Sequence, residues 1–165
     1  MRSIRPLLVT LGLSLVALVL QATLFRRIRF VAPDLVMLVV ILGALWLRPE
    51  LAVIVGFVAG LLVDLIVAGG VLGLRALAYT VVAYVASRTK NRTDIGPWAV
   101  GVWAALLSIL GVVVFLVLGS LFGEAAELGE NAVRRLIQVP LINGILATLL
   151  SGWVGRLIAG RRVAA

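Results

Sequence analysis

The sequence predicts an all-α, polytopic membrane protein of six transmembrane helices, and three observations lead there. Of its 165 residues, 63% are hydrophobic and 13% charged, with a mean hydropathy of +1.22. Soluble domains are about half apolar and a quarter charged. The apolar residues fall into runs near the roughly 20 residues that a helix needs to cross a bilayer. The arginines gather at the ends of those runs, as positive-inside topology and snorkelling require.

The same composition removes whole classes of function. A formal net charge of +8 suggests nucleic acid at first sight. The placement of the arginines already accounts for it, so no nucleic-acid partner is expected. The chain has no Cys and no His, which excludes disulfides, thiol nucleophiles, cysteine or histidine metal sites and histidine bases. Arg2 and Arg5 before the apolar Leu7–Leu20 resemble a signal peptide. No small-x-small cleavage site follows, and further apolar runs do, so a retained first span is expected.

The chain is read as a single six-span domain over residues 1–165. Span one is Leu7–Phe25, with Thr10, Ser14 and Gln21 as its polar side chains and Arg26, Arg27 and Arg29 closing it. Span two is Ala32–Leu47. Pro33 suits a first helical turn and Asp34 faces the positive helix end; a contact with Arg26–Arg29 or with a partner stays open. Leu47-Arg48-Pro49-Glu50 makes a tight polar turn into span three, Leu51–Ala68, where Gly56, Gly60 and Asp64 recur every four residues on one face. Gly-x-x-x-Gly lets another backbone approach closely, within the chain or from a partner.

Span four is Val71–Ala86, with Gly73 near its start and Tyr79 one turn beyond Arg75. A turn at Gly69-Gly70 puts Asp64 five residues before it and Arg75 five after it. In antiparallel helices both then lie about 7–8 Å below the turn, where each relieves the other's charge. Tyr79 is placed to hydrogen-bond into this pair. Ser87–Gly96 is a basic loop before span five, Pro97–Leu118. Phe122–Arg135 reads as the longest loop, with Glu130 and Arg134 spaced for a short surface helix. Span six is Leu136–Ile158, with Pro140 in its first turns and a small, polar stripe that includes Asn143, Gly144, Thr148, Ser151, Gly152 and Gly155.

Six spans place both termini on one side. Assigning that side to the cytoplasm gives it nine cations against five, with Arg75 inside the membrane. The intramembrane ionisable set then reduces to Asp64 and Arg75 beside Tyr79. It offers no aspartyl dyad, no Ser–base pair and no series of acids for ion transfer. The expectation is a protein that is not an enzyme, holds no cofactor or metal, and uses the pair to fix helix register.

Three motifs together resemble the MreD family of rod shape-determining membrane proteins: Ala32-Pro33-Asp34-Leu35, then Gly56-Phe57-x-x-Gly60-Leu61-x-x-Asp64, then Gly73-Leu74-x-Ala76-Leu77-x-Tyr79 with Tyr84 beyond. The likeness covers about Val31–Ser87. Such families often carry His or another polar residue where this chain has Arg75. The resemblance implies a non-catalytic scaffold of the bacterial cell-elongation and peptidoglycan-synthesis machinery in the cytoplasmic membrane. It implies an MreC-type single-span partner, with a RodA-type glycosyltransferase and its penicillin-binding transpeptidase reached directly or indirectly. It also implies a fold similar to the substrate-binding subunits of energy-coupling-factor transporters, so the alternative is a vitamin-binding subunit with an outward pocket. Membrane lipid is an expected contact, and a homodimer stays open. Under this reading Pro33, Asp34, Gly56, Gly60, Asp64, Gly73, Arg75, Tyr79, Gly144 and Gly152 are the structural or partner-contact candidates. The outer halves of the spans offer few aromatics for a ligand pocket, whereas spans three, five and six each carry small residues that admit another helix.

Overall fold

Residues 4–24, 33–66, 71–89, 96–123 and 130–159 are described in the computed structural model, and among them the chain is all-helical. The helices are α1 (Ile4–Leu24), α2 (Leu35–Ala44), α3 (Pro49–Ile66), α4 (Leu74–Arg88), α5 (Gly96–Leu121) and α6 (Glu130–Ala159). Four of them, α1, α3, α5 and α6, are long and apolar enough to cross a membrane. The 10 residues of α2 and 15 of α4 rise only about 15 and 22 Å, short of a hydrocarbon core of about 30 Å. Of the six expected spans, four therefore have crossing length, and α2 and α4 are shorter among the described residues.

Local chemistry explains the shortening of α2. The Met37 amide donates to Asp34 Oδ1 at 3.0 Å, so Asp34 is the N-cap and Pro33 lies before the helix, not in its first turn. At the other end the Trp46 amide turns back to the Gly43 carbonyl, and Pro49 opens α3 as its first residue. Between these stops nearly every side chain is buried. A helix apolar all round belongs inside a bundle, and α2 is its axis.

Side-chain and backbone contacts fix the directions. Gln21 of α1 meets the start of α2, and Thr10 meets Gly43 near its end, so the two run antiparallel. Asp34 meets Tyr79 and Met37 lies with Val82, so α2 and α4 run parallel. Gly56 faces Tyr79 and Ala83 while Gly60 faces Arg75 and Ala76, so α3 opposes α4. Gly101 faces Thr148 and Ser108 faces Asn143, so α5 opposes α6. The helices thus alternate in direction along the chain.

Other boundaries also move. Helix α6 begins at Glu130, so Arg134 and Arg135 belong to it and Pro140 is internal rather than in its first turns. The expected surface helix is instead the opening of α6, and the Glu130 side chain lies outside the described ones. The Gly69-Gly70 turn and Arg26, Arg27 and Arg29 also lie outside the described residues.

Candidate functional site

Asp64 sits two residues before the end of α3, and α4 starts at Leu74, one residue before Arg75. Arg75 therefore lies in the first turn of α4, beside Asp64 near the last described turn of α3. Arg75 Nη1 reaches Asp64 Oδ1 at 3.3 Å. The other carboxylate oxygen, Oδ2, faces the backbone and accepts the N–H groups of Gly73, Arg75 and Ala76 at 2.9, 3.1 and 3.3 Å. Asp64 is thus a cap for α4 supplied from another helix, filling the orphan donors of its first turn. Gly73 makes this geometry possible. It takes φ +97°, a left-handed conformation that side chains rarely adopt. The Arg75 guanidinium also lies over the Phe115 ring of α5, 5.1 Å from its centroid.

Tyr79 does not join this pair. Its hydroxyl donates to Asp34 Oδ2 at 2.5 Å, linking α4 to the start of α2. With Met37 on Oδ1, both carboxylate oxygens of Asp34 are engaged. The fully buried Asn143 of α6 donates through Nδ2 to the Asp34 carbonyl at 3.3 Å and to Ser108 Oγ of α5 at 3.1 Å. Gln21 Oε1 of α1 accepts the Leu35 amide at 3.1 Å. One helix start, residues 34 and 35, thereby binds α1, α4 and α6 through polar contacts, and α5 joins through Asn143.

The glycine candidates divide. A Cβ on Gly60 would stand 2.5 Å from the Arg75 carbonyl oxygen, and one on Gly56 2.6 Å from that of Tyr79. Both therefore let the backbone of α4 touch α3. Gly144 faces Ala105 and the Gly101 carbonyl across the α5–α6 seam. Gly152 faces open space, with nothing within 4 Å of a Cβ there. It lies away from the Asp34 and Asp64 clusters, on an apolar cleft between the end of α2, the start of α5 and the end of α6.

Sequence reasoning paired Asp64 with Arg75 but did not place Gln21, Ser108 or Asn143 among the site candidates. The available signal was a single amide or hydroxyl in an otherwise apolar helix, which must find a partner once buried. The arrangement clamps helix ends; it presents no nucleophile beside a free base. Among the described residues no group of three or more His, Cys, Asp or Glu side chains could hold a metal ion.

Comparison with known proteins gives one family: rod shape-determining protein MreD, whose sequence model matches residues 1–160 of the 165-residue chain. No curated protein and no solved structure gives a significant match.

Proposed function

The chain belongs to the MreD family of rod shape-determining membrane proteins, and on that premise we propose that it is a non-catalytic scaffold of the cell-elongation machinery. It is an integral membrane protein that acts in cell shape. In this reading all six helices cross the cytoplasmic membrane, with α2 and α4 completed by their flanking residues, and both termini are cytoplasmic. An MreC-type single-span protein docks on an outer helix face. Through it, or directly, the scaffold meets a RodA-type glycosyltransferase and its transpeptidase.

The observation that carries the proposal is the engagement of the polar interior. Asp34 and Asp64 each have both carboxylate oxygens occupied by groups that hold helices together. Such an interior supports a rigid platform whose outer faces do the binding. The alternative, a vitamin-binding subunit, calls for convergent polar groups in a pocket. The cleft beside Gly152 is lined by apolar residues apart from Ser151 and glycine backbone, which favours the scaffold.

The test is native mass spectrometry of the full chain, extracted in mild detergent from cells that also express an MreC-type protein. A one-to-one complex that survives extraction is the expected result. A tightly held vitamin-sized molecule, with no such partner, would overturn the reading.

A further inference from the structure

The cleft beside Gly152 takes no part in the polar clamp and lies at the opposite end of α2. Leu42, Leu45 and Trp46 wall it on one side, Pro97 and Val100 on the second, and Gly152 lies on the third. Its volume is about 340 Å³, in the range of ligand sites rather than packing defects. The indole of Trp46 rests 3.4 Å from where a Gly155 Cβ would stand, while Gly152 leaves the space open.

A cation stands next to the Gly152 wall of this apolar cleft. Arg156 Nε donates to the carbonyl of Gly152 at 3.0 Å, and its guanidinium lies 5.3 Å from the centroid of the Trp153 ring. Anchoring through Nε holds the head group at the rim and leaves the Nη pair for an anion. The start of α5, at Gly96 and Pro97, adds the positive end of a helix dipole on the facing wall. Among the described residues, the same end of the bundle carries exposed Arg5, Arg48 and Arg88 at helix ends, against one exposed acid, Glu50. An apolar slot under a cationic rim fits an amphiphile with a negative head. It fits neither a neutral metabolite nor an apolar helix, which would make no use of the rim.

We propose that this cleft binds one anionic phospholipid, an acyl chain lying along Trp46 and Gly152 and the phosphate at Arg156. The lipid fills the gap between the α2 and α5–α6 ends and ties that end of the bundle to an anionic membrane surface.

The full chain is delipidated in detergent and titrated with palmitoyl-oleoyl phosphatidylglycerol or the matching phosphatidylcholine under native mass spectrometry. One phosphatidylglycerol is retained, about fivefold more tightly than phosphatidylcholine, and Arg156→Gln removes that preference. Gly152→Leu fills the cleft and abolishes retention. An independent reading uses phosphatidylglycerol brominated on its acyl chain, which quenches a tryptophan component that Trp46→Phe deletes. Equal retention of the two lipids overturns the proposal, as does retention unchanged by both Gly152→Leu and Arg156→Gln. A quenched fraction that Trp46→Phe leaves unchanged, or a second copy of the chain that Gly152→Leu dissociates, overturns it too.

Discussion

The hydroxyl of Tyr79 donates to the carboxylate of Asp34 across 45 positions of sequence, joining the middle of α4 to the cap of α2. The same carboxylate holds the first turn of α2 through Met37. Tyr79→Phe keeps the ring and its packing but removes the donor. We expect it to cost about 1–3 kcal/mol, the range for leaving a buried acceptor unpaired. Asp34→Ala loses the cap as well and should cost more. Because the two share one bond, the double variant should lose less than the sum. Thermal unfolding in detergent measures all three, and strict additivity would show the bond to be inert.

Asp64 holds α4 through three amides as well as through Arg75. Arg75→Ala leaves those amides capped, whereas Asp64→Ala strands them. We expect Asp64→Ala to destabilise by about 2–3 kcal/mol and Arg75→Ala by less. Reversing the pair, Asp64→Arg with Arg75→Asp, restores opposite charges but gives position 64 no acceptor. The reversed protein should therefore stay as unstable as Asp64→Ala alone. Recovery of parental stability would mean that charge, not capping, is what Asp64 supplies.

At Gly60 the groups that a Cβ would meet are the Arg75 carbonyl and the Ala76 backbone, neither of which can swing away. Gly60→Ala should cost about 1–3 kcal/mol through overpacking, despite the better helix propensity of Ala. Gly152→Ala meets nothing, so helix propensity alone acts and the variant should be neutral to more stable, by up to about 1 kcal/mol. Chemical denaturation of the two variants side by side checks the contrast. Equal effects would mean that α3 and α4 can separate without loss.

Asn143 is fully buried and donates to both Ser108 and the Asp34 carbonyl. Asn143→Leu should weaken the bundle by about 1–3 kcal/mol, since two acceptors lose their donor. Asn143→Asp should be worse, because it sets a carboxylate against acceptors beside Asp34. A cysteine at an exposed α6 position, absent from the parent chain, gives a labelling-rate measure of the same loosening. Unchanged rates in both variants would remove Asn143 from the clamp.

Composition and local spacing alone determined the class of this protein, its helical content and the meeting of Asp64 with Arg75. Those depend on total hydrophobicity and on two helices adjacent in sequence, where a short connection forces contact. The same stretch carries the motifs of the MreD likeness, which need no fold to be read. The lengths of α2 and α4 were not legible, because apolar residues continue past the last turn of α2, through Leu45, Trp46 and Leu47, and precede the first turn of α4, at Val71 and Leu72, so that a hydropathy pattern marks no stop there. Caps mark it, and the cap of α4 comes from α3.

Only the tertiary structure decided where Tyr79, Asn143 and Gln21 point. Their partners lie 45, 109 and 14 positions away. Helices apolar on every face carry no periodic signal to say which side turns inward. In such a chain the few polar groups find one another because hydrocarbon leaves them no other partner, and the packing of the helices chooses which.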